Sequence, residues 1–207
     1  MVQARTQFLN SGGYAFLKQE LVNLTKKYDS HVLCDLGCGE GYYTSGFQAE
    51  EKYGFDMSKE ALKHASKNDP STQYAVASIF RLPLEDASCD TAVTCFAPFA
   101  KDEIERVLTQ GGRFFFVSPG PKHLFELKQL IYDTPYENEM KDLETTLVKE
   151  EEYFISNTFH CEKENLISLF KMTPYYHRTR NEDIDKINHQ DGMDITAEFL
   201  IRVYQKR

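Results

Sequence analysis

The sequence predicts an α/β fold built on a mostly parallel sheet, with an antiparallel edge and helices on both faces. Over the first two-thirds of the chain, five short apolar segments alternate with amphipathic helical segments, which indicates parallel strands joined by right-handed crossovers. The last third instead shows period-two alternation, which is typical of antiparallel strands. A glycine-rich stretch, CDLGCGEGYY (34–43), directly follows the first apolar segment.

Five strands are predicted from apolar runs bounded by polar or turn residues, at 31–36, 52–56, 73–77, 91–96 and 113–118. The segment LPLEDASCD (82–90), before the fourth strand, is predicted to be a polar turn. Gly111-Gly112 predicts a tight turn into the fifth strand. Because these strands are short and apolar, we expect them to be buried inside the sheet.

Helices are predicted from apolar spacing and from capping residues. The first runs to Lys27 from near Tyr14, and residues 42–49 also look helical. Ser58 and Asp102 are expected to cap the two helices that follow the second and fourth strands. The helix after the fifth strand is expected to face inward with Leu124, Leu127 and Ile131.

The last third is predicted to form the antiparallel edge. Residues 145–155 are strand-like but charged, and residues 194–204 alternate between apolar and polar side chains. Residues 163–172 between them look helical. With no repeat or linker in the sequence, we expect one domain over residues 1–207, made of an N-terminal helical segment (1–30), a core (31–133) and a C-terminal part (134–207).

Composition favours a soluble globular protein. Of the 207 residues, 41% are hydrophobic and 27% are charged. No apolar run has membrane-spanning length, and the N-terminus MVQARTQFLN has no signal-peptide core, so we expect a cytoplasmic protein. The five cysteines form no CxxC pair and are predicted to be reduced and mostly buried: Cys34, Cys38, Cys89, Cys95 and Cys161. The net charge of −8 argues against strong nucleic-acid binding by the surface as a whole, while leaving room for a local basic patch.

The glycine-rich stretch predicts a ligand site, because α/β sheets bind ligands where parallel strands end. Gly37 would allow a tight exit from the strand, and Gly39 and Gly41 would let backbone amides approach a ligand. The spacing G-x-G-x-G differs from the dinucleotide fingerprint G-x-G-x-x-G, and no P-loop Lys-Ser or Lys-Thr follows. A nicotinamide-dependent oxidoreductase is therefore disfavoured.

Carboxylates near the loop indicate the kind of ligand. Asp56 ends the second strand, where an acid can accept hydrogen bonds from both hydroxyls of a ribose, and Asp35 ends the first. The loop thus offers carboxylates and no cationic phosphate clamp, which favours a ribose-bearing, positively charged ligand without phosphates. S-adenosylmethionine has these properties, and the glycines would make room for its amino-acid end. We also assign Ser78, just beyond the third strand, to this cofactor site.

Four stretches together resemble the bacterial 23S rRNA (guanine-N1-)-methyltransferases: VQARTQFLNSGGY, DLGCGEGYYT, FRLPLEDASCD and SPGPKHLFELKQLIYD. The second alone would indicate only a class I methyltransferase, whereas the fourth is far more specific. The resemblance extends from about residue 2 to the C-terminus and is weakest over 134–160. It implies a Rossmann-like class I methyltransferase with a seven-stranded sheet, whose residues 31–133 bind the cofactor.

The resemblance also implies a substrate and cofactor contacts. The family methylates N1 of a guanine in a hairpin of 23S rRNA, and some members thereby alter sensitivity to macrolides. Its cofactor contacts carry over to Tyr14, Gly39, Glu40 and His123. Tyr14 can hydrogen-bond the cofactor or place its ring near the cation, and Glu40 can bind the ammonium. The alternatives are structural: a packed tyrosine, a solvated helix-start acid and a surface histidine.

Methylation of guanine N1 requires a proton acceptor. Near the mouth of the sheet the candidates are His123, Glu126 and Asp102, of which we assign His123 and Glu126 as catalytic. No residue pattern chooses between them.

Substrate contacts are expected after the fourth strand, where class I enzymes often shape the substrate pocket. We assign Phe96, Pro98 and Phe99 to this pocket, and either phenylalanine could stack on an extruded base or be a core residue. Lys122 is assigned to the same surface. Other basic residues could follow the RNA or be solvated charges only: Arg81, Lys128, Arg178 and Arg180.

One departure from the family concerns metal binding. The family begins with a small zinc ribbon of Cys and His ligands that helps to bind RNA, but no Cys or His precedes His31 here. We therefore expect no metal site in this chain. A methyltransferase of small molecules, such as a quinone precursor or another metabolite, is the main alternative, since it accounts for the acidic charge. A non-enzymatic binding or regulatory module is a third, against which the intact loop and Asp56 argue.

Overall fold

The structure is a computed structural model that describes residues 2–207. Within this range the helices are α1 (Val2–Asn10), α2 (Ala15–Lys27), α3 (Lys59–Asn68), α4 (Lys101–Val107), α5 (Phe125–Ile131), α6 (Lys163–Met172) and α7 (Asn181–Asn188). The strands are β1 (Val32–Leu36), β2 (Glu51–Asp56), β3 (Gln73–Val76), β4 (Cys89–Cys95), β5 (Leu108–Pro119), β6 (Val148–Glu162) and β7 (Gly192–Gln205). None of the described helices is long and apolar enough to cross a membrane.

The chain divides into two compact units, each assembled from separate segments. The sheet unit consists of 17–118, 141–154 and 200–207. The accessory unit consists of the segment up to Phe16 together with 119–140 and 155–199. Strands β6 and β7 contribute residues to both units.

The sheet unit contains strands in the order β3-β2-β1-β4-β5-β7-β6. β1 pairs in parallel with both β2 and β4, while β2 pairs in parallel with β3 and β4 with β5. The strand order reverses next to β1, which is where ligands bind in open α/β sheets. The predicted fold is confirmed: the sheet is Rossmann-like, seven-stranded and mostly parallel, with an antiparallel edge.

The core of the sheet unit forms because its central strands carry apolar side chains. Leu36 of β1, Ala92 of β4 and Phe114 of β5 belong to one buried cluster, together with Ile104 and Val107 of α4. All five cysteines are free and buried within the described chain, as the sequence predicted.

Three local predictions are wrong. The predicted helix over 42–49 is only a 3-10 turn, Thr44–Gly46. Ala100, not Asp102, is the N-cap of α4, and Asp102 lies in the first turn.

The predicted turn at Gly111-Gly112 is absent, since β5 continues through both glycines. The Gly111 amide donates to the carbonyl oxygen of Lys206, and the Lys206 amide donates to that of Gly112, at 2.8 and 2.9 Å. Pairing with the chain at Lys206 therefore carries the strand through the glycine pair, although Gly111 has a φ of +82°.

The C-terminal third follows the predicted pattern with longer strands. The predicted helix at 163–172 is confirmed as α6, with Leu166, Leu169 and Phe170 buried. Helix α7 has no counterpart in the sequence prediction, because its apolar positions are few.

Candidate functional site

The loop after β1 is fastened to the end of β2 by Asp56. The Gly39 amide donates to Oδ2 of Asp56 at 2.9 Å, and the Ser58 amide donates to Oδ1 at 2.7 Å. Each carboxylate oxygen has a second lone pair, so Asp56 can hold the loop and still accept hydrogen bonds from a ligand.

The glycines of this loop occupy backbone conformations that side chains disfavour. The φ angles are +82° for Gly37, +57° for Gly39 and +75° for Gly41. A Cβ atom at Gly37 would lie 2.8 Å from Cβ of Ala97, and one at Gly41 would lie 2.7 Å from the hydroxyl of Tyr74. The Gly41 amide donates to the Cys38 carbonyl oxygen at 3.0 Å instead of facing a ligand. Internal packing thus accounts for the absence of side chains at Gly37 and Gly41.

Asp35 and Glu40 are both buried, so Glu40 is not the solvated helix-start acid that was the alternative. Oδ2 of Asp35 accepts a hydrogen bond of 2.6 Å from the Thr44 hydroxyl. Sequence reasoning missed Thr44, which it placed in a helix, although its position in DLGCGEGYYT pointed to the loop.

Apolar side chains surround the ends of β2 and β3. Met57, Val76 and Phe80 are 69%, 54% and 60% exposed, and Val76 is the register partner of Asp56. The predicted residue Ser78 lies in the same turn, where its hydroxyl accepts from the Phe80 amide at 3.3 Å. These apolar residues were also missed, although an apolar residue directly after a strand-ending aspartate is a visible signal.

The two phenylalanines after β4 differ in their surroundings. Phe99 stacks on Phe114 at 5.7 Å between centroids and packs against the core. Phe96 is exposed, has φ of +64°, and lies 6.3 Å from the Tyr43 ring. Bulky residues adopt this conformation at an energetic cost, and such strain concentrates at functional sites. Phe96 is therefore exposed at the end of β4, whereas Phe99 is packed against the core.

The accessory unit brings Tyr14 and His123 together. Nε2 of His123 lies 3.3 Å from the Tyr14 hydroxyl oxygen, and the Glu198 amide donates to Nδ1 at 3.2 Å. Because Nδ1 accepts, Nε2 carries the hydrogen and donates it to Tyr14. Burial lowers the pKa of His123 to about 3 and raises the pKa of Tyr14. His123 is therefore a neutral imidazole with both nitrogens occupied.

Glu126 and Lys122 also bond within the accessory unit. The Glu126 carboxylate accepts from the Thr196 amide at 3.1 Å and from its hydroxyl at 2.6 Å. The Lys122 amide donates to Glu198 at 2.7 Å, while its side chain is exposed. Pro98, the remaining predicted substrate contact, is exposed after β4 in the sheet unit. The predicted residues thus fall into a loop set in the sheet unit and a Tyr14–His123 set in the accessory unit.

Residues 34–116 match the family described as "Methyltransferase domain". A solved structure of a putative methyltransferase from Bacillus halodurans aligns with a TM-score of 0.61 at 15% identity, covering 91% of this chain and 98% of that one. Residues 34–116 match a methyltransferase domain, and the fold is that of class I methyltransferases.

Curated relatives of this methyltransferase domain differ in substrate. The 23S rRNA (guanine(748)-N(1))-methyltransferase of Streptomyces fradiae is 35% identical over 61% of this chain and 49% of its own length. The putative 23S rRNA (guanine-N(1)-)-methyltransferase YxjB of Bacillus subtilis is 28% identical over 90% of this chain and 71% of its own length. A malonyl-[acyl-carrier protein] O-methyltransferase of Hahella chejuensis is 28% identical over 61% of this chain and 50% of its own length. The chain spans about half the length of the Streptomyces relative.

The cofactor of such a methyltransferase domain is S-adenosylmethionine, and the residues of the site fit it. Asp56 keeps lone pairs for ribose hydroxyls, and the exposed Met57 and Val76 beside it suit a flat base. Residues 35–46 contain no Lys or Arg, which suits a ligand without phosphates. No group of three or more His, Cys, Asp or Glu side chains that could hold a metal occurs in the described part of the chain.

Proposed function

We propose that this chain binds S-adenosylmethionine at the loop 35–41 and transfers its methyl group to N1 of a guanine in a 23S rRNA hairpin. The observation that carries cofactor binding is the Asp56 carboxylate, which is fastened to the Gly39 amide where β1 and β2 end. The guanine substrate is supported by the names of the Streptomyces and Bacillus relatives, of which the second matches 90% of this chain.

The cofactor supplies an electrophilic methyl group that needs no activation by the protein. The task of the chain is then to hold donor and acceptor in line. In this proposal Asp56 holds the ribose, Asp35 and Glu40 face the amino-acid end, and Ser78 lies beside the base. The sequence prediction that the Tyr14 hydroxyl contacts the cofactor is kept as part of the proposal.

The proton of guanine N1 must leave during transfer, and the geometry revises the predicted roles of His123 and Glu126. His123 has a pKa of about 3, and both its ring nitrogens are hydrogen-bonded, so it is a poor proton acceptor. Glu126 is bonded twice to Thr196. We assign both to positioning: His123 orients the Tyr14 hydroxyl, and Glu126 fixes α5 against β7.

Substrate contacts are proposed at Phe96, whose strained and exposed ring can stack on an extruded guanine. Pro98 shapes the turn behind it. Lys122 offers an exposed ammonium that can meet a phosphate. Phe99 is left to the core because it stacks on Phe114.

The second candidate is methylation of a small or carrier-bound molecule. It is favoured by the net charge of −8, which repels RNA phosphates, and by the likeness to the malonyl-[acyl-carrier protein] O-methyltransferase of Hahella chejuensis. The two candidates share the cofactor site and differ only in the acceptor.

Cofactor binding is tested by titration calorimetry with S-adenosylmethionine. We expect the parent to bind and Asp56→Ala to bind ten-fold or more weakly, because a hydrogen bond to a charged group contributes about 1.5–3 kcal/mol. Asp185→Ala, which removes an exposed acid on α7, is the control and should bind like the parent. A parent that does not bind would refute the cofactor site.

The acceptor is tested with S-adenosylmethionine labelled on its methyl group. Unmodified 23S rRNA, a mixture of small metabolites and a malonylated carrier protein are offered separately. Label in the RNA at N1 of guanine supports the proposal, whereas label only in a metabolite or the carrier supports the second candidate.

A further inference from the structure

Tyr74 lies directly beside a strand glycine. On β3 it is the register partner of Gly54 on β2. A Cβ atom at Gly54 would lie 2.5 Å from both Cδ1 and Cε1 of the Tyr74 ring, a distance at which something must move. The ring therefore occupies the space that a side chain at Gly54 would need.

The other end of the same side chain reaches the cofactor loop. A Cβ atom at Gly41 would lie 2.7 Å from the Tyr74 hydroxyl oxygen and 3.3 Å from Cζ. Thus one ring accounts for two glycines that are distant in sequence, one in a strand and one in the loop.

The loop rests on this ring through a second contact. A Cβ atom at Gly54 would also lie 3.1 Å from Sγ of Cys38, so Cys38 packs over the same glycine as Tyr74. Cys38 accepts the Gly41 amide through its carbonyl oxygen and precedes Gly39, whose amide meets Asp56. The packing of Tyr74 is thereby coupled to the hydrogen bond between the loop and Asp56.

We propose that Tyr74 is a positioning residue for S-adenosylmethionine: its ring spans from Gly54 to Gly41 and supports the loop where the Gly39 amide meets Asp56. This rests on the proposed cofactor site. Tyr74 does not itself touch the cofactor in this proposal. Its effect is preorganisation, because a loop without this support must be ordered when the ligand binds.

The first test replaces the ring. Tyr74→Leu should weaken S-adenosylmethionine binding ten-fold or more and raise KM for the cofactor, with kcat at saturation changed less than three-fold. Tyr74→Phe keeps the ring, so its affinity for S-adenosylmethionine and its KM for the cofactor should stay within three-fold of those of the parent. Tyr53→Leu, which shortens a half-buried tyrosine on β2, is the control for loss of packing alone and should leave affinity unchanged.

The second test uses the contact between Gly41 and the hydroxyl. Gly41→Ala should weaken binding more in the parent than in Tyr74→Phe, because removing the hydroxyl relieves the 2.7 Å contact. We expect a coupling of at least three-fold between the two substitutions. Thermal melts establish that each variant is folded, and this cycle decides the matter if Tyr74→Leu does not fold.

The outcomes separate this inference from the proposed function. If the parent binds the cofactor while folded Tyr74→Leu binds within two-fold of it, or if Gly41→Ala and Tyr74→Phe are additive, the role of Tyr74 is wrong and the cofactor site stands. If the parent does not bind at all, both fail.

Discussion

His123 donates its Nε2 hydrogen to the hydroxyl oxygen of Tyr14, 3.3 Å away, because its Nδ1 accepts the amide of Glu198. Since the Tyr14 oxygen receives this hydrogen, the hydrogen of the Tyr14 hydroxyl itself is directed elsewhere. This arrangement requires a neutral imidazole, because a protonated Nδ1 could not accept the Glu198 amide. Burial keeps the imidazole neutral by lowering the pKa of His123 to about 3.

The first prediction concerns acid stability. The folded-state pKa of about 3 lies below the ordinary value of 6.5, so between these two pH values the unfolded chain binds a proton that the folded chain does not. The free energy of unfolding should therefore fall on acidification below pH 6.5, by up to about 1.4 kcal/mol per pH unit from this residue.

His123→Gln should lose that part of the slope, measured by urea denaturation at pH 7, 6 and 5. His64→Gln, on the exposed face of α3, should keep it; equal slopes in all three proteins would contradict the prediction.

The second prediction separates strain from function at Phe96. Phe96→Gly and Phe96→Ala both remove the ring, but only glycine tolerates the φ of +64°. The glycine variant should be about 1 kcal/mol more stable than the alanine variant. Both should lose methyl transfer while retaining cofactor affinity. Chemical denaturation and calorimetry check these points, and an alanine variant as stable as the glycine variant would show that Phe96 carries no strain.

The third prediction concerns a buried ion pair in the sheet unit. Nζ of Lys52 lies 3.1 Å from Oδ2 of Asp69, and both side chains are buried. Burial alone would raise the pKa of Asp69, but hydrogen bonds from Ser71, Thr72 and Lys52 outweigh it and lower the pKa to about 2. Asp69→Ala should lower the free energy of unfolding by about 3 kcal/mol, since it leaves the Lys52 charge buried and unpaired. The comparison is Glu151→Ala, which breaks the exposed pair with Lys27 and should cost less than about 1 kcal/mol.

The fourth prediction concerns Lys128, which is fully buried in the accessory unit. Its Nζ donates to the Tyr136 carbonyl oxygen at 2.9 Å and to Oδ1 of Asn138 at 2.7 Å. Asn138 in turn donates to the carbonyl oxygen of Gly120, three residues before His123. Lys128→Met should therefore cost about 2 kcal/mol, because it removes two hydrogen bonds made by a charged group, to the Tyr136 carbonyl oxygen and to Asn138.

The control for Lys128 is Lys171→Met, at an exposed position of α6, which should stay within about 0.5 kcal/mol of the parent. Thermal and urea unfolding measure both. A Lys128→Met variant as stable as the parent would mean that the lysine can be replaced by an apolar side chain of similar size without loss.

The sequence predicted the sheet because its strands carry local signals. The apolar runs ending at Leu36 and Asp56 gave β1 and β2 nearly to the residue, and Ser58 caps α3 through its hydroxyl as expected. The cofactor followed from the same residues, since a carboxylate at a strand end and a glycine-rich loop are adjacent to their strands in sequence.

The wrong predictions depend on contacts between distant segments. Gly111 and Gly112 have the local pattern of a turn, but hydrogen bonds with Lys206 hold them in a strand. Residues 42–49 follow a loop that precedes a helix in many folds, yet they contain only the short turn Thr44–Gly46, which lies beside Lys18 of α2. Likewise, a single sequence cannot show that Gly41 and Gly54 accommodate the same tyrosine.

The division of the chain into interleaved segments has a consequence for protein synthesis. The sheet unit contains residues 17–118 but also 200–207, and the accessory unit contains residues up to 199. A nascent chain that has emerged only as far as residue 118 therefore lacks parts of both units, including the strands that pair beyond β5. We infer that neither unit can be completed until nearly the whole of this segment has left the ribosome, so its apolar strands stay exposed to chaperones for longer than those of a chain whose domains follow one another.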